Sequence, residues 1–209
     1  MPVEITWLGR NCFRLKGRDG VVLTDPCPPE SGYMIGKQAA NIVTLSNRDN
    51  PGYSFREGVA ANARVLDAPG EYEMGGILVT GLATKRLDGG RNIIFVFEID
   101  GIRVGHLGLA SAQGMDEVKD VDILLFPAGG VNSLGGPAAA DVMTKLDPRA
   151  AIPMNFKTGV ETSDLQPLET FLKEIGSKPE PLPKVQYSRT QLPQDMTVVV
   201  LEPKISISA

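Results

Sequence analysis

The feature that most constrains the fold is the way β-branched and aromatic residues arrive in short runs through the first half of the chain. The runs are 3–7 (VEITW), 12–16 (CFRLK), 21–25 (VVLTD), 42–45 (IVTL), 63–66 (ARVL), 77–80 (ILVT), 93–99 (IIFVFEI) and 102–106 (IRVGH). Runs of this length, bounded by Gly, Pro, Asn and Asp, read as strands. Gly17-Arg18-Asp19-Gly20 supplies a hairpin turn between the second and third. Beyond His106 the period changes. A short helix is predicted over 115–119, a buried strand over 121–126, a helix over 137–146 with Ala138, Val142 and Leu146 on one face, and a strand over 150–154. A further helix is signalled by a capping box, Ser163 and Gln166, and by the stripe Leu165, Leu168, Leu172 and Ile175, with Gly176 as its stop. Terminal strands follow near 184–187 and 196–201. Strands first, then strands alternating with helices, predict an α/β sandwich: two sheets face to face, helices outside, one domain over 1–209.

The sequence also echoes itself. GRN at 9–11 and DG at 19–20 recur as GRN at 90–92 and DG at 100–101 with the same spacing. CFRLK and VVLTD lie within and after the first copy, IIFVF and IRVGH within and after the second. Two similar β-hairpins, one in each half of the fold, are the expectation.

Composition excludes several functions. A net charge of −4 and a pI near 5.1 argue against a nucleic-acid surface, which needs a dense basic patch. No apolar run approaches the roughly 18 residues of a membrane span. The opening MPVEITWLGR lacks the basic-then-apolar pattern of a signal peptide. Cys12 and Cys27 are too few for a disulfide framework, so two reduced thiols in a cytoplasmic protein are expected. There is one histidine, His106. Imidazole is the usual nitrogen ligand of zinc and the usual general base near neutral pH, and an ordinary His-rich hydrolytic centre cannot be assembled from one.

The polar loop after Ile42–Leu45 is where catalytic groups would be expected, just past a strand end. It offers Asn47, Arg48, Asp49, Asn50 and Tyr53, closed by Pro51-Gly52.

Six motifs in order make the chain similar to the metallo-β-lactamase-fold hydrolases, in the branch of the ascorbate-6-phosphate lactonase-like proteins. They are Ile5-Thr6-Trp7-Leu8-Gly9-Arg10-Asn11-Cys12-Phe13, Asp25-Pro26, Pro69 to Glu73 with Gly75 to Ile77, His106-Leu107-Gly108-Leu109, Leu124 to Gly130, and Ile152 to Thr158. The resemblance implies a four-layer αββα sandwich and two divalent metals, zinc or manganese by family norm, that activate a shared water. It also implies a ligand motif H-x-H-x-D-H on the loop after Ile42. One register places Asn47, Asp49 and Gly52 at those positions; another places Arg48, Asn50 and Tyr53 there. Neither supplies a histidine. The family's bridging carboxylate falls on Leu109, its late histidine on Asn155 and its early one on Arg10.

The reading that follows is a pseudoenzyme: a degenerate member without metal ligands or cofactor, its di-metal centre lost, binding a small anionic ligand or a protein partner, homo-oligomer formation included. The relic cleft would be formed by Arg10, Asn47, Arg48, Asp49, Asn50, Tyr53, His106, Asn155 and Lys157. Arg10, Arg48 and Lys157 would either replace the charge of the metals and hold an anion, or pair with Asp25 and Asp49 in a buried network. The alternative is a metal-dependent hydrolase, lactonase- or phosphodiesterase-like, with an atypical site rebuilt around Asp25, Asp49, Tyr53 and His106. A third reading is a structural subunit that dimerises with an active homologue.

Overall fold

A computed structural model describes residues 1–204. The first sheet is built from β1 (Val3–Gly9), β2 (Cys12–Lys16), β3 (Val21–Thr24), β4 (Ile42–Thr44) and β5 (Arg64–Leu66), with β12 (Val185–Tyr187) added against β1. The second runs in the order β13 (Thr197–Val198), β11 (Ala150–Met154), β10 (Ile123–Pro127), β9 (Ile102–His106), β8 (Arg91–Ile99), β7 (Ile77–Lys85), β6 (Gly70–Met74). Both sheets are mixed: β3, β4 and β5 are parallel, as are β9, β10, β11 and β13, and the other pairs are antiparallel. The segment 185–198 therefore gives each sheet an edge strand, and Lys204 N–H donates to the Trp7 carbonyl at 2.8 Å.

Side-chain alternation divides each strand between two environments. Ile5, Trp7, Phe13, Leu15, Val22 and Ile42 face the second sheet and join Val79, Phe95, Phe97 and Val104 in one core. Their neighbours Leu8, Cys12, Leu23, Val43 and Leu45 point the other way, where irregular chain carrying Cys27, Tyr33, Ile35 and Ala40 covers them. The helices α1 (Gly136–Leu146) and α2 (Leu168–Glu174) pack on each other and on the second sheet, where Phe126 meets Phe171 edge to face, ring centroids 5.3 Å apart. No described helix is long and apolar enough to cross a membrane.

The helical details depart from the sequence reading for local reasons. In α1 the buried face is Ala139, Val142 and Met143, with Leu146 packed beside it, and Ala138 is exposed. The capping box does not form. Gln166 precedes a proline, which disfavours the helical region at that position, and Pro167, extended at ψ 152°, starts α2 instead. Ser163 is thereby free to bond Arg10, while Gln166 accepts the Lys157 N–H at 2.9 Å. The helix predicted over 115–119 is a single 3-10 turn, Met115–Glu117. Pro69 to Glu73, read only as a motif, contributes to β6, which turns into β7 through Gly75 and Gly76, both at positive φ. The echoed segments are the two predicted hairpins, β2–β3 and β8–β9.

Candidate functional site

The polar residues gather where strands end. Arg10 follows β1, Asp25 follows β3, His106 closes β9 and Asn155 follows β11. Arg10, Asp25 and Asn155 all have left-handed backbones, with φ of 47°, 35° and 52°. Such conformations are uncommon outside glycine and concentrate where side chains must be aimed.

One group centres on Arg10. Its guanidinium, in a residue only 8% exposed, makes a forked ion pair with Glu161: Nη2 to Oε1 at 2.8 Å and Nε to Oε2 at 3.1 Å. Nη2 also donates to Ser163 Oγ at 2.8 Å. Burial works against the charges of both partners, but their mutual attraction outweighs it, so the Arg10 pKa is raised and that of Glu161 lowered. The guanidinium carbon lies 5.6 Å from the centre of the Tyr53 ring. Tyr53 donates its hydroxyl to Asn155 Oδ1 at 2.9 Å, and burial pushes the phenol up to about 12. Asn155 Nδ2 has no partner.

A second group lies at the ends of the two echoed hairpins. Asp25 Oδ1 accepts the Ser46 N–H at 2.6 Å, and Asn11 Nδ2 stands 3.4 Å from Oδ2. Burial raises the Asp25 carboxyl to about 7, against the pull of these donors. His106 Nε2 lies 2.9 Å from the Asn11 carbonyl oxygen, which only accepts, so Nε2 carries the hydrogen. Nδ1 then offers its lone pair toward Ser46 Oγ, 3.5 Å away. Burial lowers the His106 pKa to about 4 and keeps the ring neutral at pH 7.

The candidate residues thus fall into separate places. Asn47 and Tyr53 point inward, one from each proposed ligand register, so neither register describes the loop. Asn50 caps its own turn by accepting the Gly52 N–H. Arg48 and Asp49 are exposed, Arg48 Nη1 standing 3.5 Å from Asp67 Oδ2. Lys157 is exposed and its ammonium donates to the carbonyls of Glu161 and Ser163. The three cations therefore do not converge. Nor does Arg10 pair with Asp25 or Asp49, because Glu161, from a loop that carries no motif, reaches it first. Asn11, Ser46, Asn92 and Glu161 went unrecognised as site residues; only the repeated GRN pointed toward the two asparagines.

Both thiols are buried, and that burial raises their pKa, so neither is a ready nucleophile. The stretch 128–136 is a closed turn: Gly130 N–H bonds the Leu134 carbonyl, and a side chain at Gly129 would meet the Asn155 backbone carbonyl oxygen at 2.2 Å.

Comparison with known proteins settles the lineage. The model of the beta-lactamase superfamily domain matches residues 4–155. The chain belongs to the metallo-β-lactamase superfamily. Within it, a Thermotoga maritima structure, provisionally named a Zn-dependent hydrolase of the metallo-beta-lactamase superfamily, is 33% identical and covers 95% of this chain and 98% of its own, with a TM-score of 0.79. A UPF0173 protein of Pyrococcus furiosus is 28% identical over 199 residues, 84% of this chain and 92% of the relative. A UPF0173 metal-dependent hydrolase of Natranaerobius thermophilus is 27% identical over 209 residues, with the same coverage. The Bacillus subtilis metallo-beta-lactamase fold protein YhfI, at 10% identity, 95% coverage of each chain and a TM-score of 0.65, shows the fold alone.

These relatives overturn the expectation of a non-catalytic binding protein. Proteins matched over most of this superfamily member are named metal-dependent hydrolases, and nothing in the comparisons marks a loss of catalysis. The pseudoenzyme reading rested on counting imidazoles, and that count tests one kind of centre, not hydrolysis as such.

The donor set remains unlike a two-zinc site. Among the described residues no three His, Cys, Asp or Glu side chains stand close enough to hold a metal ion together. The buried guanidinium of Arg10, beside Tyr53 and Asn155, would repel a cation there, and the unpartnered Asn155 Nδ2 is a donor rather than a ligand. The residues present do not fit the paired-metal centre that the fold family implies.

Proposed function

We propose that this chain is a hydrolase of lactone or phosphodiester bonds, in the ascorbate-6-phosphate lactonase-like branch, with an atypical site rebuilt around Asp25, Ser46 and His106. Arg10, Asn47, Leu109 and Asn155 take the place of ligands in this reading, and the protein works in a cytoplasm, where Cys12 and Cys27 stay reduced. The observation that carries it is the placement of Asp25: a buried carboxyl at a strand end that accepts the Ser46 N–H, with the His106 imidazole on the far side of Ser46, and burial raises that carboxyl to about 7. A group of that pKa takes and returns a proton near neutrality better than an ordinary carboxylate does. Ionised Asp25 accepts a proton from water as the water oxygen bonds to the acyl carbon or phosphorus. The carboxyl so formed returns that proton to the leaving oxygen as its bond breaks. His106 Nδ1 faces the Ser46 hydroxyl at 3.5 Å, and the Ser46 N–H fixes the Asp25 oxygen.

The test is hydrolysis of a lactone panel and of an activated phosphodiester by chelator-treated protein, with and without restored zinc or manganese. Turnover is expected with a pH break near 7, and Asp25→Asn should lower kcat by about 100-fold or more while circular dichroism is unchanged. No turnover in any metal condition, or full activity of Asp25→Asn, would overturn the reading.

A further inference from the structure

Asn11 touches both titratable groups of the candidate site. Its backbone is pinned: the carbonyl accepts His106 Nε2–H at 2.9 Å and the Thr24 hydroxyl at 2.7 Å. Its side chain is fully buried and has a single contact, Nδ2 standing 3.4 Å from Asp25 Oδ2. Oδ1 has no partner. Nothing besides Asp25 therefore sets which way this amide faces. Asn92, at the same place in the second Gly-Arg-Asn, is the contrast. Its Oδ1 accepts the Leu109 N–H at 2.8 Å and its Nδ2 donates to the Leu107 carbonyl at 3.0 Å, so it cannot turn over without losing bonds at both ends.

Asp25 fixes where a proton must go. Oδ1 is engaged by the Ser46 N–H at 2.6 Å, so a proton on this carboxyl sits on Oδ2, the oxygen that faces Asn11. An ionised Oδ2 needs a donor, and Nδ2 is one. A protonated Oδ2 is itself a donor, and against Nδ2 it would set hydrogen against hydrogen in a buried site. Half a turn of the amide exchanges two atoms of nearly equal size and brings the orphan Oδ1 round to accept. Of the ionisable groups around Asp25, Cys12 on β2, Tyr53 after β4 and His106 on β9 are held neutral by burial, and Arg10 after β1 is turned to Glu161.

We propose that Asn11 is a positioning residue whose side-chain amide turns over with the proton of Asp25, Nδ2 donating to the carboxylate and Oδ1 accepting from the carboxyl. Its part in hydrolysis rests on the reading above. As the water oxygen bonds to the acyl carbon or phosphorus, the proton that water gives up goes to Oδ2 and Asn11 turns to hold it. As the bond to the leaving oxygen breaks, that oxygen takes the proton and Asn11 turns back. Neither protonation state of the buried base is left without a hydrogen bond.

Neutron diffraction from crystals of the deuterated full chain tests it, at about two pH units below and above the Asp25 pKa of about 7. Deuterons are expected on the Asn11 atom facing Asp25 at the higher pH. At the lower pH a bare oxygen should face it, with a deuteron on Asp25 Oδ2. In Asn11→Leu the carboxylate loses its donor while the backbone bond to His106 stays. The Asp25 carboxyl carbon should then titrate by NMR about one pH unit higher than in the native chain, and the break in turnover should move with it. The same atom facing Asp25 at both pH values, or an unmoved carboxyl titration in the variant, would overturn the inference. The neutron and NMR readouts are free of turnover. A chain that swaps its amide but hydrolyses nothing sinks only the hydrolase reading, and one that hydrolyses with a fixed amide sinks only the swap.

Discussion

The tripeptide Gly-Arg-Asn occurs at two corners of the molecule and does different work at each. At 90–92 the arginine lies on the surface, and Asn92 is fully satisfied: it holds the Leu109 N–H, the Leu107 carbonyl, Thr84 and Asn47. At 9–11 the arginine is buried and reaches across to Glu161, while Asn11 keeps one weak contact to Asp25 and an unpartnered Oδ1. The hairpins that follow end in Asp25 and His106, at the same offset from their corners. The difference teaches that identical residues become framework where their hydrogen bonds close locally, and site where they are left open and charged.

The sharpest way to break the comparison is to remove a charge from each corner. Glu161→Ala leaves the Arg10 guanidinium buried and unpaired, and should cost about 3–5 kcal/mol in chemical denaturation. Arg91→Ala, its surface counterpart, should change stability by less than about 0.5 kcal/mol. Equal losses would show that the two corners are not different in kind.

Next in size is a pH effect that separates the hairpin ends. Asp25, with its folded pKa raised to about 7, stabilises the fold when protonated and loses that contribution as pH rises from about 4 to 7. His106, with its folded pKa lowered to about 4, does the opposite: its neutral form is favoured in the fold, so its contribution grows as pH rises from about 4 to 6.5. The two trends nearly cancel in the native chain. In Asp25→Asn the opposing trend is gone, and the histidine should raise stability between pH 4 and 6.5 by roughly 3 kcal/mol, at about 1.4 kcal/mol per pH unit. A flat profile in that variant would remove His106 from the account.

The smallest expected difference lies between the asparagines. Asn92→Ala orphans several buried partners at once and should cost about 2–3 kcal/mol, against about 1 kcal/mol or less for Asn11→Ala, measured by thermal unfolding.

Much of the fold was legible because strand runs and turn residues report local preference. The hairpins at 12–25 and 93–106 and the strands at 42 and 150 stand where the pattern put them. The site was legible only in part. Arg10, Tyr53 and Asn155 lie side by side, yet Glu161, which governs Arg10, is an ordinary acidic residue 151 positions away, and no spacing rule connects them. Gln166 misled because the proline after it overrides a helix-start signal. Counting histidines could not decide activity, because it tests one kind of centre only, and the relatives matched over most of the chain are named metal-dependent hydrolases.

The placement of 185–198 against both sheets has a consequence for synthesis. Those residues leave the ribosome after the other described strands, so until they emerge the sandwich has an open flank at β1 and another at β11. Unpaired strand flanks are templates for pairing with other chains. The nascent protein is therefore most in need of protection just before 185–198 become free to pair, while both sheets still lack an edge strand.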